Sequence, residues 1–191
     1  MSESDPATVD SCSSTRAATS TPLDRIPLGL RSVFYYIFFL AFILVAVPWA
    51  ADWAARRFLP WHFELGWGRT LGWLIFAVTY VLYTVASFVL MRRGRGAYVE
   101  FDPPKEFVAV GPFRWCRNPI AACVLGMVLG EALAFSSTGI ALLFLIGLPL
   151  AHIQVVLMEE PLLEKRFGSA YCEYKKRVPR WIPRLPREPA A

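Results

Sequence analysis

Two adjacent carboxylates, Glu159 and Glu160, stand where a long apolar run ends, and the segment FGSAYCEYKKRVPRWIP begins at residue 167. A carboxylate pair at a membrane boundary is costly unless a cationic or hydroxyl-bearing group meets it. Capping the dipole of a helix opened by Pro161, with pairing to Lys165 or Arg166, accounts for one glutamate more readily than for two. A second polar segment, FVAVGPFRWCRNPI, covers residues 107–120. Its Arg114 and Arg117 have the chemistry to clamp a carboxylate, or to serve as juxtamembrane charges. Asn118-Pro119 opens a helix, with Asn as the cap and Pro at the first helical position. The plain reading of Asn118 is that cap; the functional one adds that such a helix start offers N–H donors to an anion. His152 lies two helical turns before Glu159 on the same face, either lining a pocket above the carboxylates or bonding to a neighbouring helix. The four cysteines share no metal-ligand spacing, and no metal site is expected.

These residues must be positioned by a membrane protein. Of 191 residues 55% are hydrophobic, and the excess lies in blocks. Residues 33–51, 71–91 and 139–158 are uncharged apart from His152 and long enough to cross a bilayer core as helices. Residues 120–135 form a shorter span that needs local thinning, or a tight hairpin through Ser136-Ser137-Thr138-Gly139 into the next. Four spans with both termini inside place seventeen of the 20 Lys and Arg on the cytoplasmic side and three outside, as the positive-inside rule requires. The net charge of +5 therefore reflects topology and anionic headgroups, and no nucleic-acid partner is expected. The small residues after the first span resemble a signal cleavage site. That span is longer than a signal core and follows about thirty polar residues, so a retained anchor is expected. Leu163, Phe167, Tyr171 and Tyr174 form one apolar stripe, which predicts a C-terminal interfacial amphipathic helix. The expected fold is all-α, a polytopic bundle of about four transmembrane helices. Residues 1–24 are expected to be a disordered tail, and 25–191 one integral membrane domain.

The two polar segments together resemble the integral membrane methyltransferases that include isoprenylcysteine carboxyl methyltransferase and the phospholipid N-methyltransferases. The resemblance rests on Gly111-Pro112-Phe113-Arg114, Arg117-Asn118-Pro119, a helical hairpin, Glu159-Glu160, Phe167-Gly168, Tyr171, Tyr174 and Val178-Pro179. It covers about residues 70–183. It implies S-adenosylmethionine bound at the cytoplasmic face, touching Phe107, Val108, Phe113 and the Asn118-Pro119 helix start. Glu159, helped by Glu160, would hold one polar end of the donor, and Arg117 is counted among the cofactor-binding residues. The implied reaction is methyl transfer to a lipophilic substrate arriving from the bilayer, with Glu160 or His152 taking the proton from an amine acceptor. Two positions depart from the family: Asn118 replaces a frequent His, and Ala121 a frequent Tyr, which removes an aromatic contact. Val155 stands where the prenylcysteine enzymes carry an Arg for the substrate carboxylate, which argues against that substrate. Two other readings stay open. One is an NADPH-dependent membrane reductase of the sterol reductase type, and the other a non-catalytic membrane protein on the same scaffold. The identity of the methyl acceptor and the oligomeric state are not legible in the residues.

Overall fold

A computed structural model describes residues 27–60, 63–95 and 104–184. The tail expected at 1–24 lies outside the described residues. Seven α-helices follow one another, α1 (Leu28–Ala41), α2 (Val47–Phe58), α3 (Gly68–Gly94), α4 (Pro119–Ala134), α5 (Thr138–Gln154), α6 (Glu160–Phe167) and α7 (Ser169–Arg177), with no strand among the described residues. Three continuous helical runs are long and apolar enough to cross a membrane: Ser32–Phe58, Gly68–Gly94 and Thr138–Phe167. The fourth apolar helix is the shorter α4, about 24 Å at helical rise. The fold is the expected all-helical membrane bundle.

Two of the runs contain a π-helical turn, Phe42–Ala46 and Val155–Glu159, and each lies just before a proline, Pro48 or Pro161. A proline in a continuing helix has no N–H to donate and crowds the preceding turn, and a widened turn relieves both problems.

The bundle closes where side chains are smallest. A Cβ on Gly130 would come within 2.7 Å of the Phe76 backbone nitrogen, and one on Gly126 within 2.5 Å of Thr79 Cγ2. Without those methyls α3 and α4 approach backbone to backbone, the usual solution where lipid supplies no hydrophobic drive between helices. Tyr83 and Met127, both fully buried, fill the centre with Cys123. Tyr36 and Phe39 of α1 lay their rings on Tyr83, at centroid distances of 5.6 and 6.4 Å. Outward, the spans stay apolar: Phe34, Phe38 and Phe42 are exposed and stacked in a row along the first one.

The expected C-terminal amphipathic helix is in two pieces. Gly168, at φ 55 and ψ −131, separates α6 from α7, a conformation open to glycine and strained for a residue with a Cβ. The break turns the aromatic stripe inward. Tyr171 and Tyr174 are buried, packed on Phe107 at 6.1 and 5.2 Å between ring centroids, with Phe167 at 5.5 Å on the same ring.

Candidate functional site

The start of α4, the α5–α6 junction and the chain after α7 meet at one end of the bundle. The segment before α4 is anchored first. Gly94 carbonyl accepts from the backbone N–H of Lys105 and Glu106, and Val108 and Phe113 pack against Ala86 at the end of α3. A 3₁₀ turn, Gly111–Arg114, follows, and Tyr174 donates its hydroxyl to the Phe113 carbonyl at 2.6 Å. Phe107, Val108, Phe113, Arg117, Asn118 and Pro119, all expected at the site, are therefore brought to one place.

The two glutamates part company at the π turn. Consecutive helical residues point about 100° apart, so one apolar interior can receive only one of them. Glu160 turns inward and is 5% exposed. Glu159 is half-buried and accepts from Gln154 Nε2 at 3.4 Å. Arg180 grips Glu160 in bidentate fashion, Nε to Oε1 at 2.7 Å and Nη2 to Oε2 at 2.9 Å. The planar fork of guanidinium matches a carboxylate in this way. Arg117 Nη1 lies 2.9 Å from Oε1, an ion pair that lacks the alignment of a hydrogen bond. Among the described residues, the buried Arg117 Nε and Nη1 donate to no acceptor. Lys165 and Arg166, the sequence-expected partners, are not the groups that pair with Glu160.

A strap formed by residues 178–184 crosses this cluster. Arg117 N–H donates to the Pro179 carbonyl at 2.8 Å, and Arg184 N–H to the Trp115 carbonyl at 3.0 Å. Cys116 Sγ contacts the carbonyls of Arg180 and Trp181 at 3.2 Å each. Asn118 holds the N-cap position of α4, but its side chain makes no capping bond; Nδ2 donates to the Arg180 carbonyl at 3.3 Å. The cap reading is thus corrected: the strap, not the helix, uses the Asn118 amide. His152 is exposed, and its Nδ1 accepts from Trp181 Nε1 at 3.0 Å. It reaches the cluster only through the strap. Arg114 is exposed at the end of the 3₁₀ turn.

The thiol and phenol groups of the cluster are held in their neutral forms. Burial pushes the Cys116 thiol up, only partly offset by a backbone hydrogen bond from Asn118 and the Arg117 charge. Burial, and then the Glu160 charge, raise Tyr171 to about 12, and burial likewise raises Tyr174. Both phenols are neutral near pH 7, donors and not bases. The hydrogen bond from Arg180 to Glu160 holds that guanidinium above its usual range. Counting the three closest charges, the cluster carries two guanidinium groups and one carboxylate, a net +1. One carboxylate group of a ligand would neutralise it locally, and Arg117 has the unfilled donors to receive it.

Arg180, Tyr171, Cys116 and Trp181 were not singled out from the residues as site groups. A buried carboxylate needs a nearby cation, but the eight basic residues after the last span do not reveal which one returns to it.

The chain is 24% identical over 172 residues to the nickel-cobalt-cadmium resistance protein NccN of Alcaligenes xylosoxydans xylosoxydans, covering 88% of this chain and 71% of that one. It is 27% identical over 88 residues to the cobalt-zinc-cadmium resistance protein CzcN of Cupriavidus metallidurans, covering 46% of this chain and 40% of that one. No solved structure matches. Residues 67–170, just over half of the chain, match the family described as phospholipid methyltransferase. That stretch runs from the start of α3 through the Arg117–Pro119 helix start and the glutamate pair to the Gly168 break, and by it the chain belongs to the phospholipid methyltransferase family.

Proposed function

We propose that this chain transfers a methyl group from S-adenosylmethionine to a lipophilic acceptor at the cytoplasmic face of the membrane. The observation that carries the reading is Arg117, whose buried Nε donates to no acceptor and whose Nη1 lies 2.9 Å from Glu160 Oε1 without hydrogen-bond alignment, at the mouth of an apolar bundle. The family supports methyl transfer, and the excess of Lys and Arg on the loops at this end supports a cytoplasmic orientation for the site and both termini.

The residues fit such a donor. Arg117 would receive its carboxylate, and the helix start at Asn118-Pro119 would add backbone N–H groups. Phe107, with Phe113 and Val108 behind it, would offer the apolar surface. Both Glu160 oxygens already face guanidinium groups, so Glu160 holds Arg117 in place. Glu159, one step nearer the rim, is the carboxylate proposed to meet the donor's amino or hydroxyl groups. S-adenosylmethionine supplies an electrophilic methyl on a sulfonium centre. The protein's part is to align the acceptor with it and to keep the site dry.

Neither expected proton acceptor is presented as the site stands, because Glu160 is occupied and His152 Nδ1 is bonded to Trp181. Lifting the strap frees His152 for an amine acceptor, whereas a carboxylate acceptor needs no base. The relatives' names concern metal resistance. On this reading such a phenotype would follow from altering a lipid or other hydrophobic molecule. The test is equilibrium binding of S-adenosylmethionine to the purified protein, then transfer of a tritiated methyl group into a total membrane lipid extract. Binding lost in Arg117→Ala and kept in Arg114→Ala supports the assignment. Equal binding by wild type and Arg117→Ala, or tight NADPH binding without the methyl donor, refutes it.

A further inference from the structure

The opposite end of the bundle, about 24 Å away along α4, carries a second site unrelated to the glutamate pair. A cavity of about 500 Å³ lies there between α2, the approach to α3 and the α4–α5 turn. Its charged lining has both signs: Arg56 and Arg69, Asp52 and Glu64, with Ser136 and Ser137 beside them. Both guanidiniums are fixed through one nitrogen. Arg56 Nε donates to Asp52 at 2.7 Å and Arg69 Nε to the Ala134 carbonyl at 2.9 Å. Among the described residues their terminal nitrogens donate to no protein acceptor, and Glu64 is in no ion pair.

An apolar groove of about 340 Å³ adjoins this cavity, with Ala55 in the lining of both. It runs between α2 and α5 and is walled by Ala54, Phe58, Leu142 and Ile146. Around the groove α2 exposes Trp53 and Phe58, at 58% and 75%, and Trp67 nearby is 94% exposed. Aromatic side chains in such positions mark the level of the membrane–water interface. Lipid is therefore what borders the groove, and headgroups are what border the cavity.

We propose that these two spaces hold one zwitterionic phospholipid. Its phosphate would lie on Arg56 and Arg69, its ammonium group on Glu64, and an acyl chain in the α2–α5 groove. Two guanidinium groups and Glu64 in one cavity match a headgroup carrying both charges, and disfavour a purely anionic one, which would bring a like charge to Glu64 and nothing to offset it. The site is distinct from that of the proposed methyl transfer and does not depend on that activity.

The test is native mass spectrometry of the full chain in mild detergent, titrated with dioleoylphosphatidylcholine, dioleoylphosphatidylglycerol or phosphocholine. Phosphatidylcholine is chosen because its nitrogen is already fully methylated and cannot serve as acceptor. One molecule should bind at least tenfold more tightly than phosphatidylglycerol, and phosphocholine alone should bind at least tenfold more weakly than the intact lipid. Arg56→Ala with Glu64→Ala, at exposed positions, should lower lipid affinity at least tenfold, as should Ala54→Trp, which fills the groove. Thermal unfolding without lipid verifies that each variant is folded. Equal affinity for the two lipids, wild-type binding by folded variants, or phosphocholine matching the whole lipid overturns the proposal. S-adenosylmethionine binding should be unchanged in these variants. Loss of donor binding in the wild type would refute the methyltransferase reading while leaving the lipid result intact.

Discussion

Replacing Glu160 by Gln should separate the two glutamates energetically. The carboxylate lies 2.7 Å from Arg180 Nε and 2.9 Å from Arg117 Nη1. At an effective dielectric constant near 20, each pair attracts by roughly 6 kcal/mol before desolvation is counted. Removing the acid while both bases stay leaves Arg117, whose side chain is 10% exposed, as an uncompensated buried charge. Breaking a buried pair in this way costs about 3–5 kcal/mol. Arg180, at 30% side-chain exposure, can turn to water, so the low end applies, about 3 kcal/mol. Glu159→Gln changes a half-buried side chain whose amide oxygen can still accept from Gln154 at 3.4 Å and should cost less, about 1 kcal/mol. For a domain of this size about 3 kcal/mol lowers Tm by roughly 6–12 °C, readable by thermal unfolding in detergent. The converse ranking is expected for the donor: at a temperature where both variants are folded, Glu159→Gln weakens S-adenosylmethionine binding directly. Equal Tm losses for the two variants, or a silent Glu160→Gln, would refute the division of labour.

Gly168→Ala places a Cβ at φ 55, ψ −131 and should cost about 1–3 kcal/mol, with exposure of the Tyr171–Tyr174 face seen as faster hydrogen exchange in α7. Tyr174→Phe removes the donor to the Phe113 carbonyl at 2.6 Å and should lose about 1 kcal/mol, measured by denaturant titration. Because folding raises Tyr171 from 10.0 to about 12, its contribution is fully present below pH 10 and is lost as pH rises from there to about 12. Stability measured against pH should fall less steeply across that window in Tyr171→Phe than in the wild type. Gly130→Leu, whose Cβ already meets the Phe76 backbone at 2.7 Å, should abolish monodisperse purification, because backbone has no room to shift.

The spans and the hairpin were legible because apolar length is a direct physical requirement of the bilayer. The close approach of α3 and α4 was not read from the residues, although Gly126 and Gly130 are what permit it. The roles within the glutamate pair were not legible. Their orientation depends on a π turn at Val155–Glu159, which hydropathy does not encode, although Pro161 marks where the helix must widen. The stripe Leu163–Phe167–Tyr171–Tyr174 has helical period throughout, so periodicity alone predicts one surface helix; the dihedral angles of Gly168 decide otherwise. Asn118-Pro119 carried the sign of a cap, and the cap position is real. The Asn118 amide nevertheless goes to a carbonyl 62 residues away, a long-range bond invisible to local pattern.

The strap links these failures of local reading. Arg180, the bidentate partner of Glu160, belongs to the same segment whose carbonyls accept from Arg117, Cys116 and Asn118 and whose Trp181 bonds His152. A ligand carboxylate arriving at Arg117 competes with Glu160 for the same guanidinium, and Arg180 can then hold Glu160 alone, since its two nitrogens already satisfy both oxygens. The net +1 of the cluster thus accommodates one anion without stranding a charge. With Arg180 removed, Glu160 would have to keep Arg117, and the donor would face a neutral pair. Arg180→Ala should therefore weaken S-adenosylmethionine binding through the carboxylate alone, even though Arg180 need never touch the ligand. Affinity titrations with the donor and with its decarboxylated analogue measure this, and an equal loss for both would mean that Arg180 only holds the strap in place.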